Sequence, residues 1–409
     1  MPQSTSWKTW RLRRGLLRCD WLAPGFVIGL TIACGCTRNA EKHAASRTLL
    51  VTGTPEVVDY GFTTVRSVIE LEDRRVLVLD YLDRSVHVLD FDRGTRGAVG
   101  RIGQGPGEFS SPRALHRWRT DSIMVVDDAR FNELLVLSPQ LVPVATRRTG
   151  HEASGERFYT FRTASDTMGN VYAWIALRSA DGRGIRLDSA AIERTHVPTQ
   201  RRDTVGRLSR IAWAPGGSDA AVRSVASQPF RTLPVPFAVT TQFTVRADGV
   251  LVLLEANPYR LKLLLPDGTR RVGPDVLTEM IPLSDTMKAR WRTDAQRPQR
   301  ILSYRGGSMI PDVVNEPVPV EEPMQWPTHL PPFGDDALFA ALDGNVFVQR
   351  HAATSAATPV DVFDELGRRT ATLLLPIGRR LAGVGAAYLY LVRSDDDDML
   401  FLERWRRPM

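Results

Sequence analysis

The stretch RRVLVLDYLDRSVHVLDFDRG, Arg74 to Gly94, is two apolar runs joined by the polar loop YLDRS and closed by a turn ending in glycine. Its apolar residues recur with period two, the spacing of an extended strand; a helix would repeat them at three and four. Val, Leu and aromatic residues also favour a pleated backbone. The stretch reads as a β-hairpin, and it recurs. DSIMVVDDARFNELLVLSPQL (Asp121 to Leu141) has the same pattern, with Ile123 lying 47 positions after Val76. GNVYAWIALR with GIRLDSAAIER (Gly169 to Arg194) is a third copy, Val171 lying 48 positions after Ile123. DGVLVLLEANPYRLKLLLPDG (Asp248 to Gly268), DGNVFVQRHAATSAATPVDVFDELG (Asp343 to Gly367) and AYLYLVRSDDDDMLFLERW (Ala387 to Trp405) complete a set of six.

One such hairpin cannot bury its own faces, whereas stacked copies bury one another. Six of them set around an axis, each with two more strands, make an all-β six-bladed β-propeller. The added strands are expected between the hairpins, as in FTTVRSVIEL (Phe62 to Leu71), RALHRW (Arg113 to Trp118) and AVTTQFTV (Ala238 to Val245). The sixth hairpin ends almost at the last residue. An N-terminal strand from RTLLVTG (Arg47 to Gly53) or EVVDYG (Glu56 to Gly61) is therefore expected to complete the last blade. The propeller would span residues 48–409, with an insertion at about 273–332. Within that insertion Ser284 and Asp285 are N-caps for a helix near Thr286 to Gln296, and Ile310 to Pro332 is proline-rich and extended. It reads either as a lid over the channel mouth or as a decorated crossing between blades.

The first blade linker, AVGRIGQGPGEFSSPRAL (Ala98 to Leu115), raises the question of a phosphate-binding loop. Such a loop needs a following helix whose amides face the anion. Here Gly103, Gly105 and Gly107 lack the dinucleotide spacing, no Lys-Ser/Thr follows, and Pro112 precedes a strand. The glycines are expected to supply positive φ, Glu108 to accept backbone amides and Phe109 to pack between blades. The string Gly100, Gly103, Gly105, Pro106, Gly107, Glu108, Phe109 with Pro112 resembles the blade linker of six-bladed propellers related to NHL repeats. Pro331 to Phe333, before LDGNVFV, is a second, partial match. Many members of that group are exported bacterial lipoproteins, which is what the resemblance implies for this chain.

The N-terminus carries a matching address. Arg11 to Arg18 form a positive region and Trp21 to Ala33 an apolar run of signal-peptide length. Small residues and two cysteines follow. This resembles a bacterial lipoprotein signal, with residues 1–35 removed, Cys36 (alternatively Cys34) lipidated, and 36–47 acting as a tether. Arg13 to Arg18 also resembles a twin-arginine export signal beside the general secretory one. Two acyl chains on one residue give stable anchoring. Thr37 after Cys36 points to the outer membrane, and the expected location is the cell envelope.

The three cysteines, Cys19, Cys34 and Cys36, all lie in this segment, so the body has neither disulfides nor thiol catalysis. Of the net charge of +7, the first 35 residues carry +4, and no basic cluster with interleaved aromatics suggests nucleic acid as a partner. The histidines fall in no metal or catalytic pattern, and His87, mid-strand between Val86 and Val88, reads as solvent-facing. Asp395 to Asp398 read as a solvated hairpin turn. Asp80, Asp127 with Asp128, and Glu255 with Asn257 fall at the ends of strands read as inner ones. In propeller hydrolases and lactonases such residues converge on a channel metal. Asp127, Glu255 and Asn257 are accordingly candidate ligands for calcium or zinc; no other cofactor is expected. The leading reading is a lipid-anchored binding module for a protein, small molecule or glycan. The alternatives are a metal-dependent, lactonase-like hydrolase or lyase, and a structural part of an envelope complex.

Overall fold

The computed structural model describes residues 47–408, apart from 104, 106, 120–121, 128–132, 149–156, 179–184, 209–236, 238–240, 296–298, 306–307, 315–325 and 354–355. The expected signal peptide, both candidate lipidation cysteines and nearly all of the tether lie outside the described residues. Two strands come first, β1 (Arg47–Leu50) and β2 (Glu56–Phe62). The first sheet is β3 (Ser67–Glu70), β4 (Val76–Asp80), β5 (Ser85–Asp90) and β6 (Thr95–Ala98). The second is β7 (Pro112–Trp118), β8 (Ser122–Asp127), β9 (Glu133–Leu137) and β10 (Pro143–Arg148). The third is β11 (Arg157–Ser165), β12 (Asn170–Arg178), β13 (Ile185–His196) and β14 (Arg201–Leu208). The fourth is β15 (Gln242–Val245), β16 (Leu251–Ala256), β17 (Tyr259–Leu264) and β18 (Arg270–Val272). The insertion then gives α1 (Asp285–Ala295) and a separate hairpin, β19 (Gln299–Arg305) with β20 (Ser308–Val314). The fifth sheet is β21 (Phe333–Ala340), β22 (Val346–Arg350), β23 (Pro359–Phe363) and β24 (Arg369–Leu374). The sixth is β25 (Arg379–Val384), β26 (Tyr388–Ser394) and β27 (Leu400–Arg406).

All six sheets are meanders, so the first strand of each blade lies at one edge of its sheet. β3 packs beside β7, β7 beside β11, β11 beside β15, β15 beside β21, β21 beside β25, and β25 beside β3. That circuit is closed: the fold is a six-bladed propeller. β2 pairs antiparallel with β27 and supplies the fourth strand of the last blade, as the sequence predicts. β1 does something the sequence does not announce. It pairs parallel with β24 and makes blade five five-stranded. Arg404 clasps the closure: its Nε donates to Glu56 Oε2 of β2 at 3.0 Å and its Nη2 to Asp92 of the first blade at 2.5 Å.

The apolar side chains form six clusters, one between each pair of neighbouring blades. β4 shows how period two builds them. Val76 and Val78 pack towards Tyr390 and Val392 of the sixth blade, while Leu77 and Leu79 pack towards Ile123 and Val125 of the second. Both faces of a middle strand are therefore interior, and all five β4 residues are buried. Each fully buried aliphatic side chain of this kind stabilises the ring by roughly 1.5–3 kcal/mol. The same geometry corrects the reading of His87, which is buried at 5 % exposure rather than solvent-facing. Its ring lies against Tyr60 and Phe62 of β2, in the interface that the chain closure creates.

The glycine linker is structural. Glu108 accepts the Gly105 amide at 2.7 Å, and buried Phe109 packs in the cluster between blades one and two. In the insertion, Ser284 Oγ caps α1 by accepting the Met287 amide at 3.2 Å. Its two stems pair through Leu283 N to Thr328 O at 3.0 Å and Leu330 N to Ile281 O at 2.8 Å.

Candidate functional site: the central channel

The innermost strands enclose a channel along the ring axis with a cavity volume of about 330 Å³, walled by residues of all six blades. Every blade runs its first strand in the same sense, so one mouth of the channel is built from six strand starts. The insertion enters β21 at that same end. Strand starts tolerate long polar side chains because their outer ends reach water. Arg66 precedes β3, Arg113 is in β7, Gln242 opens β15 and Asp336 is in β21, and all four line the channel.

The guanidinium carbons of Arg66 and Arg113 lie 5.3 and 5.9 Å from the centre of the Tyr81 ring, in the turn after β4. Both distances suit cation–π attraction. Arg66 Nη1 stands 3.8 Å from Asp336 Oδ2, with the two side chains 35 % and 65 % exposed. Arg380 of β25 stands beside them; its Nη2 donates to the Val65 carbonyl at 3.2 Å. Arg380 is exposed to solvent, and desolvation by the neighbours packed on it lowers its pKa from the ordinary guanidinium value while Asp336 opposes the shift. Gln242 ties blade four to blade five, donating to Gly334 O at 2.6 Å and accepting from Ala337 N at 3.0 Å.

Farther in, His116 Nε2 is 2.8 Å from Thr163 Oγ1, and burial pushes the imidazole pKa down to about 4. The ring is neutral at pH 7 and has one donor and one acceptor nitrogen. At the far end Glu70 accepts the Tyr390 hydroxyl at 2.5 Å and the Ala386 amide at 3.0 Å. Asp166 accepts the Tyr172 hydroxyl at 2.9 Å and the Asn170 amide group at 2.7 Å. These two acids are committed to structure, while at the mouth the Arg66 and Asp336 side chains remain partly exposed. Such an arrangement can bind a small polar molecule and give it a charge preference.

The residues singled out in the sequence lie elsewhere. Asp127, Glu255 and Asn257 belong to the second strands of their blades or the turns after them, one strand out from the channel wall. Their assignment to inner strands is corrected accordingly: the strand preceding each hairpin, not the hairpin itself, is innermost. Glu255 is ion-paired to Arg260 at 2.9 Å and Lys262 at 2.5 Å, so its oxygens already have cationic partners. Asn257 precedes a cis peptide to Pro258. Asp127 pairs through its backbone with Pro112; its side chain and Asp128 lie outside the described residues. Asp80 is buried, taking the Thr63 amide at 2.7 Å and the Thr64 hydroxyl at 2.9 Å, which pins the segment leading into β3. Asp395 to Asp398 form the β26–β27 turn. Among the described residues no three His, Cys, Asp or Glu side chains come together in a metal-ligating group.

What the sequence reading missed, Arg66, Arg113, His116 and Thr163, has a signal in the repeat itself. Arg113 follows Arg66 by 47 positions and Thr163 follows His116 by 47, the spacing already measured on the apolar residues. Residues at one phase of the repeat face one another on the channel wall.

No protein-family model matches the chain, and no curated protein matches it. Among solved structures it is similar to a member of the DUF4221 family from Bacteroides vulgatus, at 9 % identity and a TM-score of 0.46, covering 87 % of this chain and 97 % of that one. It is also similar to regucalcin, a calcium-binding protein from Agrobacterium tumefaciens, at 11 % identity and a TM-score of 0.44, over 88 % and 97 % of the two chains. A third likeness is to virginiamycin B lyase from Staphylococcus aureus, at 9 % identity and a TM-score of 0.40, over 86 % and 98 %.

Proposed function

We propose that the chain is an exported, lipid-anchored binding module of the cell envelope whose ligand sits in the central channel. The observation that supports it most is the channel itself, a polar-mouthed cavity of about 330 Å³ in a ring whose other buried acids are tied up in structure. Clefts of this size with a few convergent polar groups are where small ligands bind. The anchor rests on the N-terminal sequence, with Cys36 as the lipidated residue and Cys34 as its alternative.

Two experiments test the two halves. Purified full-length protein is screened by thermal shift against small molecules and short glycans. A ligand whose shift disappears in His116→Ala or Thr163→Val supports the channel, and one indifferent to every channel substitution contradicts it. Metabolic labelling with radioactive palmitate tests the anchor. Label lost in Cys36→Ala, with release of the protein from membranes, is the expected result. Loss in Cys34→Ala instead moves the site by two residues, and label unchanged in the double variant overturns the anchor.

A further inference from the structure

We propose that His87 is an acid-sensitive latch on the ring closure: when its imidazole takes up a second proton, β2 leaves the seam between blades six and one. Period two puts His87 on the same face of blade one as its register partner Val78 and as Leu89, both in the apolar cluster of that seam. β2 supplies Val58, Phe62 and the partly buried Tyr60 to the same cluster. The imidazole lies 5.2 Å from the Tyr60 ring and 5.8 Å from the Phe62 ring, centre to centre. The latch acts on the fold whether or not the channel holds a ligand.

The hydrogen bonds fix which form of the ring fits. An ionised carboxylate only accepts, so the Ser85 hydroxyl donates to Asp83 at 2.9 Å. The Ser85 oxygen then accepts from His87 Nε2 at 2.8 Å, and the neutral ring carries its proton there. Nδ1 is buried with no hydrogen-bond partner. A second proton turns it into a charged donor with nothing to receive it, a form far costlier in the closed seam than in water. Of the charged groups around the ring, Arg96 of β6 repels the cation, and its guanidinium carbon lies 3.8 Å from the centre of the Tyr60 ring. Asp80 and Asp83 attract it, but Asp80 is engaged by Thr63 and Thr64, and Asp83 is reached only through Ser85. β2 is an edge strand paired only with β27, so its release is the smallest change that hydrates the ring. The closed seam, by burial first and Arg96 second, holds the imidazole pKa below its ordinary 6.5, and opening restores it. The stability that His87 lends the closure is therefore full above about pH 6.5 and is lost as pH falls below it.

The test is hydrogen exchange of the full-length protein at about pH 7 and about pH 5, each rate corrected for the intrinsic effect of pH. Relative to β26 in the same blade, the β2 amides bonded to β27 are expected to lose about tenfold in protection on acidification, within the limit set by one proton. In His87→Gln, which stays neutral, this excess loss should disappear. His87→Phe, which keeps a ring against Tyr60 and Phe62, should abolish it as well, and melting at about pH 7 checks that each variant is folded. Equal loss in β2 and β26, or an excess that persists in a folded variant, overturns the proposal. Should neither variant fold, the wild-type profile decides. An excess that begins just below about pH 6.5, the ordinary imidazole value, supports the latch; one that begins only near about pH 4, where carboxylates titrate, overturns it.

Discussion

Gly94 and Gly100 share a left-handed backbone, at φ +65° and +67°, and differ in what surrounds them. A Cβ on Gly94 would meet nothing within 4 Å, whereas one on Gly100 would lie 2.6 Å from the Phe109 ring. Gly94→Ala should therefore cost about 1 kcal/mol, the ordinary penalty for a side chain at positive φ. Gly100→Ala should cost about 2–3 kcal/mol, because Phe109 must also leave the cluster between blades one and two. Urea denaturation of both variants measures the difference. The buried histidines make a second residue-scale prediction. Burial holds His116 and His351 at about 4, and lowers His87 through burial first and Arg96 second, while Asp80 and Asp83 oppose. An unfolded chain takes up these protons near pH 6.5, and the folded one resists until far lower. Stability should thus fall as pH drops from 6.5 towards 4. His116→Gln should shallow that slope by about one proton.

The element scale shows what was legible and what was not. The hairpins could be read because their strands carry apolar residues at period two, and β4 goes further, with odd positions serving one interface and even ones the other. Leu77 and Val78 serve different neighbours, yet both obey one local pattern. The same fact defeated the reading of His87: alternation tells which of two faces a residue is on, not whether that face meets water. β1 could not be placed because a short outer strand such as RTLL carries no mark of its partner, 324 residues further on, where Arg47 pairs with Ala371. The channel residues are hidden because the acids at the hairpin ends, the conspicuous polar groups of the repeat, lie one strand out from the channel wall. The closure has its own prediction. Arg404 is buried between the rings of Phe91 and Tyr388, and holds Glu56 and Asp92. Both acids remain partly exposed, so they stay hydrated when the cation is removed. Arg404→Ala should lower stability by about 2 kcal/mol and Tm by a few degrees, read by calorimetry.

At the scale of the whole molecule, six interfaces share the work that a single core does in a smaller domain. Each blade has apolar contacts on both sides, and no blade is an end, because β2 ties the first described residues to the last. The channel depends on that closure: Arg66 and Arg380, neighbours at its mouth, are 314 positions apart and meet only where blade six joins blade one. A ring open at this point would have neither the arginine cluster nor a binding site. Hydrogen exchange of the β2 amides tests this most directly. In a closed ring, the amides of Glu56–Phe62 that bond to β27 should exchange far more slowly than those of a frayed terminus, as amides of β26 in the same blade do. Exchange of β2 within seconds, as in a frayed terminus, while β26 remains protected, would contradict the closed ring and the channel it encloses.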